Sequence, residues 1–251
     1  MSGHSKWSTI KRKKAATDAK RGKLFTRHAK DIALAAREGG GDPTSNFKLR
    51  LAVDRARAAN LPKENIERSI RRGTGEEKGA AAFEQVTYEG YANHGVALMI
   101  EVVTDNRNRA VSEIRHQLSR YAGSLGEGGS VAWQFERKAY FAFPPKSHSE
   151  EELFDIAVEA GAEDVIYSQE LVEIFAPVES FKDVSDALNA AAISPEEAEL
   201  RMEPTNLMEL EPHETVQVMR VIEALEELDD VQNIYSNLNV TEDAVAALEA
   251  A

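Results

Sequence analysis

The chain has 251 residues, 42% of them hydrophobic and 29% charged, which suits a folded protein of two or three small domains rather than a disordered one. It contains no cysteine, so disulfides, thiolate nucleophiles and cysteine metal sites are excluded; Met1 to Trp7 is too polar for a secretory signal and no apolar run reaches membrane-spanning length. The net charge of −13 would argue against nucleic acid, but residues 1–78 hold 20 Lys+Arg against 9 Asp+Glu, a balance of +11, and the remainder of the chain carries −24. A split of this size points to a polyanion-binding module joined to a repelling body.

From Ser8 to Arg21 the chain reads as a basic helix or an arm that orders on binding. Lys6, Lys11, Arg12, Lys13, Lys14, Lys20, Arg21 and Lys23 face a single acid, Asp18. Trp7 could stack on a base or anchor the arm to the body. Phe25, Ala29, Ile32 and Ala36 then mark an amphipathic helix that Gly39-Gly40-Gly41 ends. A third helix is expected from Asn46 to Ala59, with Leu49, Val53 and Ala56 inward and Arg57 off that stripe. A fourth follows Pro62, burying Ile66 and Ile70 and presenting Arg68, Arg71 and Arg72.

After a Gly- and Glu-rich linker come strand signals at Val86 to Tyr88 and Val96 to Val103. A helix at Asn108 to Tyr121, a glycine-rich loop at Gly123 to Gly129 and a strand at Val131 to Phe135 follow. Residues 138–206 repeat strand, helix, strand, strand, helix, strand, the ferredoxin-like order. A helix from Thr215 to Leu228 and a strand from Val231 to Val240 close the chain. The expected fold is α+β and multidomain: an N-terminal helical bundle (1–78), a ferredoxin-like domain (79–137 plus 207–251), and an acidic ferredoxin-like domain (138–206) inserted into it.

The segment from Thr104 to Arg109 lies where a strand runs into a helix. Thr104 or Asp105 can cap that helix, while Arg107 and Arg109 oppose its dipole. A bound phosphate could offset this, or pairing with Asp105, Glu89 or Glu101. The loop Gly126 to Ser130 lacks the Gly-Lys-Ser/Thr ending of a phosphate loop and reads as a tight turn. The six histidines show no metal spacing, and no nucleophile–base constellation is visible. No cofactor and no catalysis are expected.

Gly3-His4-Ser5-Lys6-Trp7, Ile10-Lys11, Phe25, Gly40-Gly41-Asp42-Pro43, Leu61 to Arg68, Tyr88-Glu89-Gly90-Tyr91, Thr104 to Arg109 and Leu125 to Phe135 are similar, in order and spacing, to the YebC/PmpR family. That resemblance covers nearly the whole chain. It implies three domains and a DNA-binding transcriptional regulator of the cytoplasm, with a role in translation at the ribosome as the alternative. The resemblance extends to the mitochondrial translational activator of cytochrome c oxidase subunit one, and no transit peptide like that relative's is expected here, since the sequence starts at the family motif. The chain departs from the family at Ala92-Asn93-His94-Gly95, where a Gly-Pro-Gly-Gly turn is common, and at Ala122, where glycine is usual. The expected partner is nucleic acid, DNA first and ribosomal RNA second, with no membrane; the oligomeric state is not legible. If roughly six to eight phosphates are contacted, affinity falls several decades over a few-fold rise in salt.

Overall fold

The structure, a computed structural model, describes residues 18–77, 81–145 and 148–249. It is an α+β fold that begins with a helical unit and continues as two sheet-containing units, one inserted into the other.

The helical unit comprises α1 (Asp18–Gly39), α2 (Phe47–Ala58) and α3 (Lys63–Gly73). The arm and the helix that follows it were expected as separate elements; over the described residues α1 is continuous through Gly22. A glycine inside a helix costs about 1 kcal/mol, which the buried stripe of α1 offsets. Asn46 turns the chain from α1 into α2. Its Oδ1 accepts from the Leu49 N–H at 3.1 Å, and its Nδ2 donates to the Ala35 and Gly40 carbonyls at 2.8 Å each. Ile32, Leu49, Val53, Ala56, Leu61 and Ile66 form the core of this unit.

The first sheet-containing unit starts with the hairpin β1 (Glu84–Tyr91) and β2 (Ala97–Thr104). Helix α4 (Arg107–Arg120) and the two-residue strand β3 (Ser124–Leu125) follow. After the insertion come β8 (Met208–Glu209), α7 (Pro212–Glu226), β9 (Val231–Ser236), β10 (Leu238–Asn239) and α8 (Glu242–Glu249). The sheet order is β3-β1-β2-β9, all antiparallel, so the early strand expected at Val86 is an inner one. Leu98, Ile100 and Val102 of β2 pack against Ile114 and Leu118 of α4 and Val218, Ile222 and Leu225 of α7. Ala97 and Met99, which point the other way, meet Val131, Phe135 and Tyr235. Both faces of β2 are therefore buried, which its unbroken apolar run requires.

The inserted unit runs β4 (Phe135–Phe143), α5 (Glu150–Glu159), β5 (Asp164–Tyr167), β6 (Val172–Pro177), α6 (Phe181–Ala190) and β7 (Glu197–Pro204). Its order β5-β6-β4-β7 is the ferredoxin-like arrangement. The outer unit stacks four antiparallel strands on two helices in the same way, but its path is β-β-α-β and then, after the insertion, α-β. Met202 of the insert packs into the cluster of Met99, Phe135 and Tyr235, an apolar joint between the two sheets.

Two strand expectations change. Val131 to Phe135 is not a strand: Ala132–Gln134 is a 3-10 turn leading into β4. The Glu89 carboxylate takes the N–H groups of Val131 and Ala132, which are therefore lost to a ladder. The segment Val231 to Val240 breaks into β9 and β10, and β10 pairs in parallel with β8.

Of the three positions where the resemblance implies glycine and this chain has another residue, Ala92 is extended at φ −73°, while His94 at φ 60° and Ala122 at φ 59° fall in the left-handed region. Ala122 terminates α4, with the Gly123 N–H bonded to the Leu118 carbonyl at 2.8 Å and the Ala122 N–H to Ser119 at 3.3 Å, a helix end that favours glycine. Ala122→Gly is expected to stabilise the protein by about 1 kcal/mol, the cost of placing a Cβ there. Urea unfolding reads the gain; an unchanged or lower midpoint contradicts the strain.

Candidate nucleic-acid interface

The cations of the N-terminal third divide by what they touch. Lys6, Lys11, Arg12, Lys13 and Lys14 lie outside the described residues. Lys20 and Arg21 fall in the first turn of α1. Arg57 is exposed on α2, with only the exposed Asp54 at 3.4 Å beside it. Arg68 and Arg71 are exposed on α3 and have no ion-pair partner among the described residues. These three positions leave charge available to solvent, though a pair such as Arg57–Asp54 contributes little.

Other cations turn inward. Lys23 donates to the Glu226 carbonyl at the C-terminal end of α7, a favourable place for positive charge. Burial pulls its ammonium below the usual lysine range, against the pull of Asp229. Arg72 lies over the Phe83 ring at 3.8 Å and reaches Asp105 at 3.3 Å. Sequence reasoning passed over Arg27, Lys30 and Arg55. Arg27 donates to Asn233 Oδ1 at 2.8 Å and to Gln232 Oε1 at 3.3 Å. Lys30 donates to the Asp229 carbonyl and the Asp230 carboxylate, each at 2.7 Å. Arg55 donates to the Ala198 carbonyl in the insert. No local signal separates these cations from exposed ones, because their acceptors lie roughly 140 to 206 residues away.

The Thr104 to Arg109 segment converges on the same place. Asn106, not Thr104 or Asp105, caps α4, accepting from the Arg109 N–H at 3.1 Å. Thr104 accepts from the Asn106 N–H at 3.0 Å and donates to Asp230 at 2.9 Å. Arg109 bridges Asp105 at 2.9 Å and Asp230 at 2.8 Å, and Arg107 pairs with Glu84 at 2.6 Å. These carboxylates offset the unfavourable dipole without a bound phosphate. Glu89 and Glu101 are engaged elsewhere. Glu101 accepts from Asn233 at 2.9 Å and Tyr235 at 3.2 Å. Glu89 accepts from the Gly129, Val131 and Ala132 N–H groups at 2.7 to 2.9 Å, so its carboxylate fills the turn that a phosphate loop would leave open.

Asp230 is the centre of this arrangement. It is buried and receives Lys30, Arg109 and Thr104. Burial works against its charge, but the bonds from Lys30, Arg109 and Thr104 outweigh burial and hold the carboxyl below the usual aspartate range. Near the three-unit junction, burial and the charges of Arg27 and Arg55 push His28 down to about 4. Burial raises the carboxyls of Asp31 and Glu199 against the same two arginines. A cleft of about 810 Å³ opens between the helical unit and the outer sheet unit, lined by Lys30, Arg68 and Arg72 on one side and Asp105, Arg109 and Asp230 on the other. Among the described residues no group of three His, Asp or Glu side chains is placed to hold a metal ion, and no helix is long and apolar enough to cross a membrane.

Asp230→Ala leaves the buried Lys30 with the Asp229 carbonyl but without its carboxylate counter-ion and is expected to cost about 3–5 kcal/mol in urea unfolding; a loss near zero contradicts the hub. The stability Asp230 contributes is fully present above its ordinary value of 3.8 and is lost as pH falls through the depressed folded value. His28 acts in a different window. Between 6.5 and about 4 the unfolded chain binds its proton and the folded one does not, so stability falls as pH drops through that range. His28→Gln is expected to flatten the unfolding midpoint against pH there; an unchanged slope contradicts the assignment.

Comparison with known proteins gives the same architecture. Residues 5–76 match the model described as the TACO1/YebC protein N-terminal domain, and residues 83–238 match that of the TACO1/YebC second and third domain. The chain is 50% identical over 250 residues to a "Probable transcriptional regulatory protein" of Acidithiobacillus ferrooxidans, covering 100% of this chain and 99% of that one. It is 51% identical over 246 residues to a protein of the same name from Rubrobacter xylanophilus, covering 98% of each. The crystal structure of a conserved hypothetical protein, Aq1575, from Aquifex aeolicus superposes with a TM-score of 0.83 at 43% identity, over 90% of this chain and 93% of that one. With both models matched in order and relatives at half identity over their full length, the chain belongs to the TACO1/YebC family.

Proposed function

We propose that the protein is a non-catalytic, nucleic-acid-binding regulator of the cytoplasm, that its target is DNA, and that it grips the phosphate backbone with its N-terminal third. The observation that carries the reading is charge segregation: +11 over residues 1–78 against −24 over the rest. The contacts fall to Lys6, Lys11, Arg12, Lys13, Lys14, Lys20 and Arg21 together with exposed Arg57, Arg68 and Arg71. Phosphate contacts of this kind supply affinity and register rather than base readout. The names of the relatives, probable transcriptional regulatory proteins, support a regulatory role. On this reading the domains span 1–78, 79–137 plus 207–251, and 138–206, with β4 (Phe135–Phe143) crossing the bound between the second and the third.

RNA recognition through the inserted sheet is the weaker reading. Ferredoxin-like sheets that bind RNA stack bases on exposed aromatics. Here Tyr140 and Phe175, on the face away from the helices, are buried, and the Arg201 guanidinium lies over both rings.

Replacing Lys11, Arg12, Lys13 and Lys14 by Glu is expected to abolish binding to duplex DNA in fluorescence anisotropy, with circular dichroism unchanged, because these residues precede the helical core. Undiminished affinity in a folded variant removes the arm from the interface. Tighter binding of ribosomal RNA than of duplex DNA by the unaltered protein moves the target to the ribosome.

A further inference from the structure

Among the described residues, six cations of the helical unit donate to the rest of the protein: Lys23, Arg27, Lys30, Arg55 and Arg72, which are buried or half-buried, and Arg37, which stays exposed. The direction of these contacts is uniform. The helical unit supplies the donor and the acidic body supplies the acceptor. Most of the acceptors are neutral. Lys23, Arg37 and Arg55 meet the main-chain carbonyls of Glu226, Phe83 and Ala198, and Arg27 meets the amides of Gln232 and Asn233. Among the described residues, carboxylates meet these cations in ion pairs at Asp230 on Lys30 and Asp105 on Arg72.

The seam also lacks an apolar core among the described residues. The cluster around Ile32 and Leu49 draws every member from the helical unit, and the cluster around Ile100 and Leu225 draws every member from the outer sheet unit. The two sheet units, by contrast, share an apolar joint at Met202. The cleft of about 810 Å³ runs along the seam. Units held by polar contacts around a cleft move relative to one another more readily than units that share a core.

We propose that five of these cations, the buried or half-buried Lys23, Arg27, Lys30, Arg55 and Arg72, form a second polyanion-binding face that the acidic body covers, and that a nucleic-acid backbone competes with the body's acceptors for it and draws the helical unit away. The inference rests on the nucleic-acid reading above and deepens it. A phosphate oxygen carries the charge that a carbonyl or amide lacks, and charge-assisted bonds are roughly twice as strong as neutral ones. Each cation released from the body adds a phosphate contact, so affinity for the polyanion and opening of the seam are linked in both directions. The body is then a resident competitor. Polyanions too short to engage the arm and the covered face together leave the seam closed.

The chain has no cysteine, so dyes can be placed at Glu38→Cys on α1 and Glu159→Cys on α5, both exposed. Energy transfer between them reads the seam. Mixed-sequence duplex DNA is expected to lower transfer in the otherwise unaltered full-length protein. Asp105→Asn with Asp230→Asn removes these two carboxylates and is expected to start from lower transfer and to bind DNA roughly fivefold or more tighter. Glu150→Gln with Glu151→Gln makes the same change in net charge away from the seam and is expected to stay within about twofold of the unaltered protein at moderate salt. Binding with unchanged transfer, together with a double Asn variant no tighter than the Gln control, overturns the covered face while leaving the arm in place. Failure of every chain to bind DNA at low salt overturns the nucleic-acid reading itself. If the double Asn variant does not fold, energy transfer in the unaltered chain decides alone.

Discussion

The structure depends on the carboxylate of Asp230. It stands at the start of β9, is nearly withdrawn from water, and gathers an ammonium from the helical unit, a guanidinium from α4 and the hydroxyl that ends β2. An isolated carboxylate in that position would be strongly unfavourable. With all three donors present it becomes the point where the helical unit, the strand-to-helix corner at Thr104 to Arg109 and the outer sheet are fixed together. The rest of the corner follows from it. Arg109 can sit in the first turn of α4 because Asp230 and Asp105 hold it, and Asn106 is left to cap the helix.

The positive charge of the N-terminal third therefore has two uses. Part of it is structural: Lys23, Arg27, Lys30, Arg37, Arg55 and Arg72 attach the helical unit to an acidic body. Part faces solvent at Arg57, Arg68 and Arg71. Counting charges along the chain finds the basic region and cannot divide it, since an arginine on a solvated face and one against a distant carbonyl have the same local sequence. Lys23 and Arg72 illustrate this: both belong to the basic pattern, and both point into the protein.

What was legible followed from local rules. The three- and four-residue spacing of Phe25, Ala29, Ile32 and Ala36 and of Leu49, Val53 and Ala56 marks the helical core, and the glycines after Glu38 mark where α1 ends. The strand and helix alternation of residues 138–206 fixed the inserted unit, because each element there completes its own pattern. What was not legible depended on distant partners. The stretch from Val131 has the composition of a strand, but Glu89, some forty residues earlier, takes its N–H groups and bends it into a turn. The path of the outer sheet was hidden because its strands lie on both sides of an insertion of about seventy residues. Asp230 follows another aspartate in a turn, and its three partners come from positions 30, 104 and 109.

The central claim is that a basic N-terminal third holds a nucleic-acid backbone through phosphate contacts. Its most direct measurement is the affinity of the unaltered protein for duplex DNA across a series of salt concentrations. Six to eight contacts predict a straight line of log affinity against log salt with a slope of about −5 to −7. A flat line, or no binding at the lowest salt, contradicts the claim and leaves the basic charge with its structural role alone.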